Sequence, residues 1–143
     1  MGFSAKTEYG LVALLDLAAL HPSTGLVQTR EISREHGIPE RYLEQMLTAL
    51  RKGGFLKSVR GPHGGYRLAR PPEDITVAQI EACLEGETVV ERQGVRDDPG
   101  FQALKALGWR AEVARTAVLE ATTLARLLQE RERLQQPLPM FYI

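Results

Sequence analysis

Few residues of this 143-residue chain have the types and spacing that chemistry needs. The single cysteine, Cys83, excludes an intrachain disulfide and any multi-cysteine zinc or iron–sulfur site built from one chain. On a mostly apolar helix a lone thiol is first a small core residue and only second a redox switch. His21, His36 and His63 fall in separate segments without ligand spacing, and each reads as a loop or cap residue. No nucleophile–base pair and no dinucleotide loop appears, so no enzyme is expected. Two stretches are more suggestive. Glu40, Arg41, Glu44 and Gln45 group donors and acceptors of the kind that read base edges. "RGPHGGYRL", residues 60–68, sets glycines, a proline and a histidine between two arginines. Such a run cradles a phosphate, turns a hairpin or forms a flexible linker.

The elements around these stretches decide what they do. Tyr9, Val12, Ala13, Leu17 and Leu20 have helical spacing, with Ser4 as cap and Pro22 as stop. "TREISREHG" predicts a short helix capped by Thr29, with Ile32 inward and Gly37 as its left-handed stop. A second helix follows, with Pro39 in its first turn, a buried stripe of Tyr42, Leu43, Met46, Leu47 and Leu50, and Gly53-Gly54 at its end. Two helices joined by a tight turn describe a helix-turn-helix, in which the second helix enters the DNA major groove. Its outward first turns carry Glu40, Arg41, Glu44 and Gln45. The plain alternative is a helical hairpin with a solvated face, where Glu44 pairs with Arg41 or Lys52.

"FLKSV" and "YRLAR" read as short strands, with Tyr66 and Leu68 on one face. The glycines between them therefore turn a hairpin. No Gly-Lys-Ser/Thr follows, which excludes a Walker loop. A hairpin directly after a recognition helix is a wing. Its small cationic tip suits the narrow minor groove, with Arg60 as the probe.

Charge supports a polyanionic partner. The chain is neutral overall, with 18 basic and 18 acidic residues. The first 70 residues hold ten Lys and Arg against six Asp and Glu, and the remainder eight against twelve. Between Glu44 and Glu73 there is no acid, but there are Arg51, Lys52, Lys57, Arg60, Arg67 and Arg70. A winged-helix module that binds only protein needs no such stretch. With 43% hydrophobic residues, no signal peptide and no membrane-length apolar run, the reading is one soluble cytoplasmic protein.

The stretch "YLEQMLTALRKGGFLKSVRGPHGGYRLAR", together with the opening "SAKTEYGLVALLDLA", resembles the IscR/NsrR/CymR-type (Rrf) family of bacterial transcription regulators. The similarity is gapless from about residue 1 to 84. It implies a dimeric, mainly α, winged helix-turn-helix protein that binds double-stranded DNA. It also implies that Arg41, Glu44 and Gln45 meet the major groove and Arg60 the minor groove. Arg30, Glu40, Tyr42, Arg51, Ser58, Gly61, Pro62, His63 and Gly64 complete the expected DNA contacts. Iron–sulfur members carry three closely spaced cysteines just after the next helix, "DITVAQIEACLEG", which Thr76 caps and Val77, Ile80 and Leu84 anchor. Here that stretch offers only Glu87, Glu91, Asp97 and Asp98, poor ligands for an iron–sulfide cluster. No cofactor is expected.

Two domains are expected: residues 1–84 form the DNA-binding unit, and 85–143 form a linker and dimerisation helices. Asp98-Pro99 opens a long helix, and Thr122 or Thr123 caps a last one carrying Leu124, Leu127 and Leu128. Leu107, Trp109, Val113, Ala117, Val118 and Leu124 are the expected dimer seam. By resemblance, the long helix pairs antiparallel with its mate. The function expected is a repressor on a two-fold symmetric operator. The alternatives are the same body controlled by a partner metabolic enzyme or small ligand, and a winged-helix protein-interaction module without DNA binding.

Overall fold

A computed structural model describes residues 2–86 and 98–136. Ser4 starts the first helix, α1 (Ala5–Leu20), by accepting from the Thr7 amide at 3.2 Å. The buried stripe of α1 includes Leu11, Leu14 and Ala18 beside Ala13 and Leu17, while Leu20, its last residue, is exposed. The second helix, α2 (Thr29–His36), is capped by Gln28 and not by Thr29, whose hydroxyl is spent as a donor to Glu44. Gly37 ends α2 in the left-handed conformation at φ 67°.

Helix α3 (Glu40–Lys52) begins after Pro39 and buries Leu43, Met46, Leu47 and Leu50. Strands β1 (Leu56–Val59) and β2 (Gly65–Leu68) pair antiparallel, Leu56 opposite Leu68 and Val59 opposite Gly65. In β1 only Leu56 is buried; in β2, Tyr66 and Leu68 face the core. A single bridge from Val27 to Tyr66 ties the hairpin to the chain entering α2. After a 3-10 turn at Pro72–Asp74, Thr76 and Gln79 form a capping box for α4 (Val77–Glu85), which buries Val77, Ile80 and Leu84.

Asp98 accepts from the Phe101 amide at 3.2 Å and opens α5 (Pro99–Ala121), with Pro99 in its first turn. Thr123 caps α6 (Leu124–Gln135), which returns to pack on α1 and the 3-10 turn. Among the described residues, all the buried apolar ones but one precede residue 85. The exception is Leu124, so its expected place in a dimer seam is corrected: it is 1% exposed and completes the core of its own chain. Two backbone bonds draw it there, Leu124 N to Ile75 O at 2.8 Å and Val77 N to Thr122 O at 2.9 Å.

Candidate nucleic-acid interface

The buried stripe of α3 leaves the opposite side of the helix free. Glu40, Arg41, Glu44, Gln45 and Thr48 recur at helical spacing there and line one open groove. Tyr42 does not belong to that row. Its ring meets Tyr9 edge-on, with centroids 5.9 Å apart, and packs against the core, while the residue as a whole is half-buried. Arg30, in the first turn of α2, and Arg51, in the last turn of α3, are exposed.

At the wing, Ser58, Arg60, Gly61, Pro62 and His63 are exposed. Gly64 is buried, and this corrects its expected role at the tip. Its amide donates to the Gly61 carbonyl at 2.9 Å, and a Cβ there would stand 2.0 Å from the Val59 carbonyl oxygen. Gly64 therefore serves the turn, because only hydrogen fits between the two strands. Of the basic run, Arg51, Lys52, Lys57 and Arg60 are exposed, whereas Arg70 lies over the Phe55 ring at 4.4 Å.

The wing is fastened to the helices by Glu44 and by Thr29, Tyr66 and Gln28, three residues that sequence patterning did not single out as functional. Glu44 accepts from Thr29 Oγ1 at 2.5 Å and from Tyr66 Oη at 2.8 Å, and not from Arg41 or Lys52 as the plain alternative had it. Burial raises the Tyr66 phenol above its ordinary range, and the adjacent Glu44 carboxylate adds to this by disfavouring a second negative charge. Gln28 Nε2 donates to the Pro62 carbonyl at 3.2 Å. Tyr66 was legible only as a core residue; the one hint of more was that a buried tyrosine hydroxyl needs a partner.

Residues 3–130 match the Rrf2 family, described as an iron-dependent transcriptional regulator. The chain belongs to the Rrf2 family. It is 35% identical to the regulator CymR of Bacillus subtilis over 143 residues, the full length of both chains. It is 36% identical to the regulator IscR of Vibrio atlanticus over 138 residues, covering 94% of this chain and 79% of that one. Among solved structures, T. potens IscR superposes with a TM-score of 0.80 at 37% identity, covering 96% of this chain and 93% of its own. The structure of B. subtilis CymR gives 0.77 at 34%, covering 91% and 98%. This Rrf2 protein is thus a DNA-binding winged-helix transcriptional regulator of bacterial type.

The donor set of this Rrf2 chain does not fit a thiolate-held iron–sulfur cluster. Cys83, the sole cysteine, is half-buried between α4 and α3, where its Sγ lies 3.6 Å from the Ala49 carbonyl it donates to. Burial pushes its thiol up, away from the thiolate that binds metal. The residues that follow α4, 87–97, lie outside the described residues and contain no cysteine. His36, expected as a cap, instead pairs with Asp16 of α1 at 2.7 Å. Asp16, Glu35 and His36 bring ligand-type atoms within 4.8 Å of one another. The Arg131 guanidinium already stands 2.7 Å from Asp16, so Asp16 links α1 to both α2 and α6.

No residue of α5 is buried. Arg115, Thr116 and Leu119 form its half-buried side toward α4, where Arg115 makes a forked ion pair with Glu81. The expected seam divides into two. At about 100° per residue, Leu107 and Trp109 differ by about 200° around the helix. Leu104, Leu107, Ala111, Ala114 and Val118 follow a heptad on one flank, while Trp109, Val113 and Ala117 run along the other. Both flanks are open: Leu107 is 57% exposed and Trp109 70%.

Proposed function

We propose that this Rrf2 chain works as a cytoplasmic homodimer that binds a roughly two-fold symmetric operator and represses transcription, without an iron–sulfur cluster. One observation carries the reading: a polar row on α3 stands over a fully buried leucine stripe, next to a wing whose exposed tip is Arg60. In this reading α3 lies in the major groove. Arg41 and Gln45 meet base edges there, and Glu40 and Glu44 accept from cytosine amines. Each Glu44 oxygen keeps a lone pair beyond its internal bond. Arg30, Arg51 and Ser58 meet phosphates, which fix register without reading sequence. Arg60 enters the minor groove, where its cation gains from the concentrated negative potential. The open flanks of α5 support the dimer, because apolar area of this extent on one helix calls for a dry partner.

The test starts with a duplex recovered by selection from a random-sequence pool, set against a scrambled duplex. The protein shifts the first at lower concentration, and Arg60→Ala weakens binding to both. That variant also flattens the salt dependence by about one unit, the slope that a single cation near the phosphates supplies. A reporter carrying the selected site falls in expression when the protein is supplied. Equal binding to both duplexes, or an Arg60→Ala variant that matches the parent at every salt concentration, overturns the reading.

A further inference from the structure

We propose that the Tyr66 hydroxyl is a positioning group for DNA binding, which, through Glu44, fixes the angle of the wing to the recognition helix. This role presupposes the DNA-reading surface proposed above, but it belongs to a residue that lies behind that surface.

Each wing strand is four residues long. A two-stranded hairpin of that size is marginal on its own and cannot hold an arginine at a set depth and angle. The support comes from three directions. Val27 and Tyr66 exchange both backbone bonds, at 3.0 and 2.8 Å, so a short third segment lies along β2. Gln28 holds the tip at the Pro62 carbonyl. Tyr66 Oη reaches Glu44 Oε1 on α3, with Thr48 as a second hydrogen-bond partner and Arg51 close by.

The first two tethers bind the wing to the chain entering α2. Of the three, only the third binds it to the helix that reads the major groove, midway along a hairpin whose base is held by the Phe55 N to Leu50 O bond at 3.0 Å. The same carboxylate also takes the Thr29 hydroxyl, so one side chain spans α2, α3 and β2. Such charge-assisted bonds are stronger and more directional than neutral ones. Glu44 thus couples the two reading elements: what the helix meets in the major groove and where Arg60 lies are set by one group.

Tyr66→Phe is the decisive variant, because it keeps the ring that packs in the core and removes only the hydroxyl. Two readouts follow. In the free protein, amide exchange over residues 60–68 should rise about ten-fold, the scale of one hydrogen bond to a charged group, while α1 and α4 amides stay as they were. On the selected duplex, affinity should fall by about the same factor. The losses from Tyr66→Phe and Arg60→Ala should be less than additive, since a loose wing already misplaces Arg60. Glu44→Gln, whose amide can still accept from Thr29 and donate to Tyr66, should retain wing protection where Glu44→Ala loses it.

Unchanged exchange in Tyr66→Phe overturns the proposal, as does strict additivity with Arg60→Ala. If no duplex is preferred, the DNA reading fails, and the exchange measurement alone still decides whether the hydroxyl holds the wing.

Discussion

The α3–wing region and α5 both present many side chains to solvent, for opposite reasons. On α3 the exposed row is polar and lies over Leu43, Leu47 and Leu50, all fully buried. On α5 many of the exposed residues are themselves apolar, among them Leu104, Leu107, Trp109, Val113 and Val118, and no residue of the helix is buried. A polar row fixed on a rigid core suits a polar, charged partner whose groups it can match one by one. An apolar row without a core of its own gains only by being covered, and the gain scales with area, not with identity. The core of the winged body is therefore closed within one chain, whereas α5 leaves two apolar flanks open to solvent.

The largest effect that can break this contrast is expected at α5. Val113→Asp should leave an unpaired charge in the covered flank, cost about 3–5 kcal/mol of association, and convert the dimer to monomer by sedimentation. Ala111→Asp should do the same from the opposite flank if both stripes are covered. If only one variant dissociates, the partner covers a single stripe. If both stay dimeric, the interface lies elsewhere.

Leu47→Ala probes the other side of the comparison. It opens a cavity in the core and should cost about 2–5 kcal/mol in chemical unfolding, with the loss present in the monomeric α5 variant too. A much smaller loss would mean that the winged body itself leans on the partner.

The smallest effect lies where the two regions meet. Ser4 and Thr7 donate to Glu85, Thr7 at 2.7 Å, and these bonds, Ser4's first, hold the Glu85 carboxyl below its usual range. The folded form thus favours the charged carboxylate. Its contribution is present above the ordinary glutamate value of about 4.3 and fades as pH falls through the lower folded value. Glu85→Gln should therefore flatten the acid limb of the stability curve while changing little at neutral pH, measured by thermal unfolding at stepped pH.

Much of the winged body was legible in advance. Ser4, Gly37 and Thr76 are caps and stops whose chemistry is local, so neighbouring residues suffice to read them. Period-2 alternation placed Tyr66 and Leu68 inward, and helical spacing gave the α3 stripe. The misreadings share one cause, competition from a distant partner. Thr29 looked like a cap until Glu44 took its hydroxyl. His36 looked idle until Asp16, twenty residues earlier, met it.

By itself the sequence determined the elements, the polarity of the α3 row and the lack of cysteines for a cluster, because composition and short-range periodicity need no third dimension. Only the tertiary structure decided that Leu124 is core, that Gly64 is hidden in its turn and that both apolar flanks of α5 stay exposed. It also decided that Glu44 joins α2, α3 and the wing. The places of Leu124 and Glu44 depend on partners that arrive from far along the chain, and hydrogen bonds and close packing act over ångströms in space, whatever the separation in sequence.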